Sequence, residues 1–201
     1  DGENIICLRE NDLNILVNKQ YAIDENYEPD DLKFLTDYGI RDEGKNLQLR
    51  ELVLPYLKKM QDDLDQELGT SLYVLSAFRN FKIQTQTKNK WLSLLGLQAD
   101  KLSAEAGHSE HQLGTTVDFG LVGKSGMYTT DPEWFWLANN AYKYGFVMTY
   151  RENNQDSTGY NFEPWHWRFV GIELATKIHD IAEKPEDMYL PKGCYQKKLI
   201  K

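Results

Sequence analysis

The alternation of hydrophobic and polar positions divides the chain into short helices and short strands. Over residues 49–68 the apolar side chains recur every three or four positions, which predicts an amphipathic helix ending at Gly69. Pro55 lies inside this stretch and is expected to kink the helix or to mark its true start. Further helices are predicted at residues 81–95, 98–106, 132–144 and 172–182.

Short runs rich in β-branched and aromatic residues predict strands between these helices. They lie at residues 14–17, 72–78, 115–119, 146–150 and 166–170, and the polar residues 151–159 are predicted to form a loop. Because helices and strands are mixed without regular β-α-β alternation, the pattern favours an α+β fold. The chain is divided into an N-terminal arm packed on the core (1–45), one domain (46–190) and a C-terminal tail (191–201).

Composition and charge exclude several classes of protein. With 41% hydrophobic and 12% aromatic residues, the 201-residue chain can form a packed core, and it has no apolar run long enough to cross a membrane. The formal net charge is −8 and basic residues cluster only around Lys197 and Lys198, so nucleic acid is a poor candidate partner. Residues 1–10 lack the basic-then-apolar pattern of a signal peptide, which a mature chain would also lack.

Two cysteines, Cys7 and Cys194, lie near opposite ends of the chain. The termini of a domain often lie close together, so a disulfide between them is plausible, and it would indicate an oxidising compartment. Two unpaired thiols fit the sequence equally well, because a sequence does not supply the distance that a disulfide requires.

The residues that can support catalysis are concentrated in two polar motifs, at residues 107–118 (GHSEHQLGTTVD) and 163–168 (EPWHWR). A zinc hydrolase needs three His, Asp or Glu ligands, an open position for water and a nearby carboxylate that moves the proton. His111, Asp118 and His166 can supply the ligands and Glu163 can supply the base. The helical motif His-Glu-x-x-His is absent, so the ligands are expected to come from a loop and two strands.

Each of these residues also has an alternative interpretation. A histidine beside tryptophans, such as His166, is often a packed core residue, and Asp118 can be a helix cap or a turn residue. His108 and His111 could form a different metal pair on one helical turn. Ser109 is a weak candidate nucleophile, because its surroundings lack the second glycine of a nucleophile elbow. The fourth histidine, His179, is expected to face solvent on a helix.

These motifs resemble those of the VanY-type D-alanyl-D-alanine carboxypeptidases, a family related to the lysostaphin-type peptidases and the hedgehog signalling domain. The resemblance rests on HxxxxxxD from His111 to Asp118, on ExxH from Glu163 to His166, and on a third block, SAFRNFxxQ, at residues 76–84. It covers roughly residues 14–182 and departs from the family pattern at Ala77, Phe78 and Asn80. The Phe78 departure removes a hydroxyl group that could reach substrate, so it bears on fine specificity.

The resemblance implies a zinc site on the face of a small, mostly antiparallel sheet flanked by helices. By the family's roles, His111, Asp118 and His166 hold Zn²⁺ and Glu163 is the general base. Arg79 holds the carbonyl oxygen or the terminal carboxylate of the substrate, although a structural ion pair is the alternative. Two further residues are expected to contact substrate, Gln84 and Ser109. Trp165 and Trp167 either form the walls of the cleft or pack in the core.

The resemblance also implies the reaction, which is hydrolytic release of D-alanine from the stem peptides of peptidoglycan or its precursor, outside the cytoplasmic membrane. The same motifs serve L,D-carboxypeptidases that act on tetrapeptide stems, and less closely an endopeptidase. A zinc-bearing cell-wall-binding module without catalysis is the alternative from another class. The intact Glu163 and Arg79 argue against it, and the sequence does not indicate the oligomeric state.

Overall fold

A computed structural model describes residues 4–7, 13–121, 123–124, 126–181 and 194–197. Within them, the α-helices are α1 (Leu54–Leu68), α2 (Phe81–Leu95), α3 (Pro132–Asn140), α4 (Gln155–Thr158) and α5 (Ile172–Ile181). The strands are β1 (Asn4–Cys7), β2 (Tyr21–Ala22), β3 (Leu32–Phe34), β4 (Gln48–Arg50), β5 (Leu72–Ser76), β6 (Thr116–Leu121), β7 (Phe146–Met148), β8 (His166–Phe169) and β9 (Cys194–Lys197). Short 3-10 helices connect several of these elements.

The centre of the fold is a four-stranded antiparallel sheet in the order β5-β6-β8-β7. Buried side chains of α1, such as Leu57, Met60 and Leu64, share one hydrophobic cluster with Phe119 of β6 and Phe169 of β8. This cluster lies between the helices and the sheet and forms the main core. The prediction of an α+β fold with a small antiparallel sheet is therefore confirmed.

The helix predicted over residues 49–68 begins later than its apolar periodicity indicates. Residues 48–50 form β4 and residues 51–53 form a 3-10 turn, and Pro55 lies in the first turn of α1. Proline fits the first turn because the amide hydrogen that it lacks has no partner inside the helix there. Pro55 therefore marks the start of α1, and Gly69 ends it in the left-handed conformation with φ of 65°.

Three predictions of local structure were wrong. Residues 14–17 form an isolated bridge at Ile15 and no strand, because the carbonyl groups of Leu13 and Ile15 accept hydrogen bonds from the Arg168 side chain. Residues 98–106 do not form a helix of their own; a 3-10 turn covers Gly96–Lys101, and irregular chain follows it. The predicted loop at 151–159 contains the single helical turn α4.

The two ends of the described chain are paired with each other. β1 pairs with β9 in the antiparallel direction and with β2 in the parallel direction, and Cys7 lies opposite Cys194 in this register. β9 falls within the predicted C-terminal tail. In the predicted arm, Ile15, Val17 and Ile23 pack with Leu113, but the division of the chain into arm, domain and tail remains a prediction. Among the helices of the described residues, none is both long and apolar enough to cross a membrane.

Candidate zinc centre and active site

The register of the central sheet brings two of the predicted ligands together. Asp118 of β6 lies directly opposite His166, the first residue of β8, and opposite residues in an antiparallel pair have neighbouring side chains. The third predicted ligand, His111, lies in a 3-10 helix over Glu110–Leu113 that directly precedes β6. That helix ends at Gly114, whose φ of 69° favours glycine. A Cβ atom at this position would lie 2.9 Å from Cγ of Arg50.

The three predicted ligands form a metal-binding group. One ligand atom from each of His111, Asp118 and His166 lies within 4.8 Å of the other two. The Asp118 carboxylate lies 3.3 Å from Nε2 of His111 and 3.2 Å from Nδ1 of His166. Zinc bonds of about 2.0–2.2 Å in tetrahedral geometry separate ligand atoms by roughly 3.3–3.6 Å. The spacing and the donor set of two nitrogens and one oxygen therefore fit zinc, whereas Nδ1 of His108 instead lies 2.8 Å from the Asn18 carbonyl oxygen.

Backbone groups orient the imidazole of His111. Nδ1 of His111 lies 2.7 Å from the carbonyl oxygen of Ala77, so Nδ1 carries the proton and Nε2 is left for the metal. The Arg79 amide donates back to the His111 carbonyl oxygen at 3.2 Å. The third sequence block thus supports the site through its backbone, which a change from glycine to Ala77 leaves intact.

Glu110 contacts one of the predicted ligands, and the sequence analysis did not identify it. Its carboxylate lies 2.9 Å from Nε2 of His166 and accepts a hydrogen bond of 2.8 Å from Nη1 of Arg168. All three side chains are buried, and Arg168 also donates to the carbonyl groups of Leu13 and Ile15 at 3.0 and 2.7 Å. His166 and Arg168 are two residues apart on one strand and therefore share a face. The sequence did contain a signal for this pair: Glu110 is next to His111, and Arg168 is two positions after His166 on the same strand.

The electrostatics of the group favour a bound cation. Burial would raise the pKa of Asp118, but the His111 and His166 imidazoles hold it well below its usual value. Burial likewise opposes a charged His166, yet hydrogen bonds to Asp118 and Glu110 raise the pKa of this histidine to about 10. The neighbouring carboxylates therefore stabilise positive charge on His166. A Zn²⁺ ion that displaced the proton of His166 would supply positive charge at the same place.

Glu163 and Arg79 flank the metal-binding group. Oε2 of Glu163 lies 3.6 Å from Nδ1 of His166, and burial raises the pKa of this carboxyl group to about 7. Nε of Arg79 donates to Oε1 of Gln84 at 3.0 Å, and Nη1 donates to Oγ of Ser76 at 2.7 Å. Nη1 also lies 3.8 Å from the Asp118 carboxylate. The guanidinium is thus held in one orientation beside the metal ligands.

The site opens into a cleft of about 380 Å³. Its charged and imidazole side chains are Arg79, His111, Asp118, Glu163 and His166. The other lining side chains are apolar, aromatic or hydroxyl-bearing: Leu75, Thr87, Trp91, Leu102, Ser103, Ala104, Ser109, Met127, Tyr128, Tyr150, Tyr160 and Trp165, with Gly126. A ligand that enters this cleft therefore meets charge at the metal group and, among the described residues, uncharged side chains elsewhere.

The remaining predicted residues lie in distinct places. Ser109 and Trp165 line the cleft, whereas Trp167 is buried in the core. Gln84 is 1% exposed and lies behind Arg79, with its amide nitrogen 2.7 Å from the Ala104 carbonyl oxygen. Contacts of Gln84 and Ser109 with substrate remain predictions. The solvent exposure predicted for the last histidine is confirmed, and this residue, His179, stacks on Tyr142.

Tyr150 lines the cleft beside a metal ligand, and the sequence analysis did not identify it. Its ring centroid lies 4.6 Å from that of His166, and its carbonyl oxygen accepts a hydrogen bond of 3.1 Å from the Glu163 amide. Burial raises the pKa of the phenol well above its usual value, so the hydroxyl group stays protonated. Its sequence neighbourhood is that of a core strand, which gave no signal for this position.

A His-Asp-His group that fits zinc, beside a buried glutamate at the face of a small antiparallel sheet, places the protein in the class of zinc peptidases. Comparison with known proteins makes the assignment more specific. Residues 46–172 match the model of the VanY family, described as D-alanyl-D-alanine carboxypeptidase. Because the match covers more than half of the chain, the protein belongs to this family, as its motifs predicted.

Individual relatives agree with the family match. The chain is 34% identical over 178 residues to a D-alanyl-D-alanine carboxypeptidase of Enterococcus faecalis, covering 82% of this chain and 61% of that protein's length. The solved structure of the LdcB LD-carboxypeptidase, described in terms of peptidoglycan recognition, superimposes with a TM-score of 0.76 at 33% identity over 87% of this chain and 84% of that one.

A second similar structure contains the metal. A mutant of the vancomycin-resistance D,D-pentapeptidase VanY, solved in complex with Zn(II), superimposes with a TM-score of 0.75 at 29% identity over 89% of this chain and 99% of that one. Together with the His-Asp-His group of this chain, it identifies zinc as the cofactor.

Proposed function

We propose that this chain is a zinc-dependent carboxypeptidase that removes the terminal D-alanine from peptidoglycan stem peptides, with the D-Ala-D-Ala bond of the pentapeptide as its preferred substrate. The observation that carries the proposal is the cleft. It joins one cluster of reactive groups to a wall whose described side chains carry no charge. The active location is then the cell envelope or its exterior, where these peptides are exposed.

His111, Asp118 and His166 hold the zinc ion in the proposed reaction. When bound, the ion acidifies a water molecule and polarises the scissile carbonyl group. Glu163 accepts the proton of the attacking water at Oε2 and delivers it to the nitrogen of the leaving D-alanine. Its position supports this role, because Oε2 lies 3.6 Å from Nδ1 of His166, one of the residues that would hold the ion.

Arg79 binds the negative charge of the substrate or of the transition state. Ser76 and Gln84 hold two of its three nitrogens, and the residue lines the cleft. A fixed guanidinium recognises either the terminal carboxylate or the oxyanion, because its donors match both. Gln84 supports this role from behind, since it links Arg79 to the Ala104 carbonyl group in the cleft wall.

The uncharged wall supports D-alanine as the residue that precedes the scissile bond. An L,D-carboxypeptidase cuts after a lysine or diaminopimelate residue, whose charged side chain favours a partner of opposite charge when it is desolvated. Every charged side chain among the described cleft residues already belongs to the reactive cluster. The methyl side chain of D-alanine needs no such partner.

The L,D activity is the second candidate, and two observations favour it. The LdcB LD-carboxypeptidase structure is 33% identical to this chain. Trp91 and Tyr128 also line the cleft, and aromatic faces can hold an ammonium group through cation–π contacts.

The test is mass spectrometry of pentapeptide and tetrapeptide stems after incubation with zinc-loaded protein. We expect loss of one D-alanine from the pentapeptide, with a kcat/KM at least tenfold above that for the tetrapeptide. A chelated sample and Glu163→Gln, which keeps the size of the side chain, are the controls. Preference for the tetrapeptide would replace the proposal with the L,D activity, and cleavage of neither would reject a carboxypeptidase.

A further inference from the structure

Helix α2 exposes an unusual amount of apolar surface. Among the described residues, ten large hydrophobic side chains are exposed, and five of them lie on α2 and the 3-10 turn that follows it. These five are Ile83, Trp91, Leu94, Leu95 and Leu97. Leu94 and Leu97 are exposed to 64% and 86%. Single exposed leucines are ordinary, but a contiguous apolar cluster marks a surface that binds something.

The positions of these residues make the cluster continuous. Ile83, Trp91 and Leu94 are separated by eight and three positions, so they share one face of the helix with Thr87 between them. Leu97 extends the face at the carboxyl end of the helix. We call this surface, formed by Ile83, Trp91, Leu94, Leu95 and Leu97, the α2 face.

The charges around the α2 face indicate what it binds. In a chain of net charge −8, no Asp or Glu occurs between Arg79 and Asp100, whereas three lysines do. Two of them, Lys82 and Lys90, are exposed. The third, Lys88, is buried and forms ion pairs with Asp100 at 2.6 Å and Glu105 at 3.2 Å. The acidic groups next to the face are thus paired with Lys88, and the exposed charge on the helix itself is positive.

Exposed leucines, one tryptophan and flanking lysines on a single helix are the signature of a segment that lies in the interface of a lipid bilayer. Leucine and isoleucine side chains gain more from hydrocarbon than from sugars or polar peptides, and anionic headgroups attract lysines near a membrane surface. Carbohydrate binding would favour aromatic residues, and four of the five side chains of the α2 face are aliphatic.

The α2 face also borders the active site. Thr87 and Trp91 line the cleft, and so do Leu102, Ser103 and Ala104, which follow the 3-10 turn. A protein docked by this face would hold the mouth of its cleft at the membrane surface. Peptides tethered to a lipid would then reach the metal group without leaving that surface.

We propose that the α2 face is a docking surface for an anionic lipid bilayer. Leu94 and Leu97 enter the interface most deeply, because they are its most exposed members, and Lys82 and Lys90 contact the headgroups. This docking goes beyond the proposed reaction, which concerns the cleft alone.

The experiment is sedimentation of the zinc-loaded 201-residue chain with vesicles of phosphatidylcholine, with and without phosphatidylglycerol. We expect at least tenfold tighter partitioning onto the anionic vesicles, weakened by salt. L94Q/L97Q should reduce this partitioning at least tenfold, because burial of two leucine side chains is lost, and K82E/K90E should abolish the preference for anionic lipid. The matched control is F135Q/I172Q, which removes two exposed apolar side chains from α3 and α5 and should change partitioning less than twofold.

Three outcomes would overturn the docking surface. They are absence of binding to anionic vesicles, unchanged binding of L94Q/L97Q, and retention on purified wall glycan without retention on vesicles. Urea unfolding and zinc content verify that each variant is folded. Leu94 and Leu97 do not line the cleft, so hydrolysis of soluble pentapeptide by L94Q/L97Q should match that of the unchanged chain. That assay tests the proposed reaction separately.

Discussion

Replacement of Glu110 by glutamine tests whether the buried pair behind the metal group stabilises both the fold and the zinc ion. The carboxylate accepts from two donors, Nε2–H of His166 and Nη1–H of Arg168. A glutamine offers a single carbonyl oxygen, and its amide group cannot accept. One of the two donors therefore loses its partner, and the fully buried Arg168 loses the carboxylate with which it forms an ion pair.

The expected cost follows from burial. Removal of one partner from a buried ion pair destabilises proteins by about 3–5 kcal/mol, because the other charge is left uncompensated. We therefore expect E110Q to lower the free energy of unfolding by about 3–5 kcal/mol. Loss of the partner that orients a metal-binding histidine typically lowers metal affinity about 10- to 100-fold. Since His166 is such a residue, we expect zinc affinity to fall by a similar factor.

Urea unfolding in the presence of chelator measures the first effect, and zinc titration measures the second. The matched control is E105Q, because Glu105 is exposed and its partner Lys88, although buried, keeps the ion pair with Asp100. The loss should therefore stay within about 1 kcal/mol. The double variant E110Q/R168M removes the buried charge but also the donor to the Leu13 and Ile15 carbonyl groups, so it should recover part of the stability and little of the zinc affinity. If E110Q unfolds within about 1 kcal/mol of the unchanged chain and binds zinc equally well, Glu110 does not have this role.

Three further predictions concern single residues or pairs. R79K keeps the charge but loses the planar fork of the guanidinium. We therefore expect kcat/KM on pentapeptide to fall roughly 100- to 1000-fold while the zinc content stays unchanged. Near-normal turnover would remove Arg79 from the mechanism. G114A places a Cβ on a residue with φ of 69° and within 2.9 Å of Arg50. Urea unfolding should show that the free energy of unfolding falls by roughly 1–3 kcal/mol. An unchanged midpoint would contradict this expected strain. Cys7 and Cys194 lie opposite each other in an antiparallel pair, where Cα atoms are about 4.5–5.5 Å apart and within reach of a disulfide. A non-reducing digest should yield a peptide that links them, and C194S should lower the free energy of unfolding by roughly 2–5 kcal/mol; two free thiols would contradict this pairing.

Local signals in the sequence determined several elements of this protein. Helix α2 has the predicted bounds, because the Asn80 side chain accepts from the Ile83 amide at 2.9 Å at one end and Gly96 follows at the other. Pro55 and Gly69 mark the ends of α1 for similar reasons. Caps, prolines and glycines act within one helical turn, so the sequence can be interpreted there without knowledge of the rest of the fold. The metal ligands were candidates from two short motifs, and the resemblance of those motifs to the VanY-type signatures implied their roles.

Only the tertiary structure decided which distant groups meet. Residues 14–17 look like a strand by composition, but two carbonyl groups at their edge bind Arg168, which is more than 150 positions away. Residues 98–106 have helical composition, yet the carbonyl groups of Ser103 and Ala104 bind the Lys88 and Gln84 side chains instead of a helical ladder. Long-range partners such as these override local propensity, because a buried polar group must find a partner wherever the fold provides one.

The same division applies to the site. Sequence spacing identified His111, Asp118, His166 and Glu163 as chemically suited to zinc and to proton transfer. The sheet register decided that Asp118 faces His166. The packing of the 3-10 helix that begins at Glu110 decided that its carboxylate contacts both His166 and the buried Arg168. Residue type and spacing thus determine which chemistry is possible. The pairing of strands determines which atoms come within bonding distance, because a shift of one residue in register moves every side chain to the opposite face.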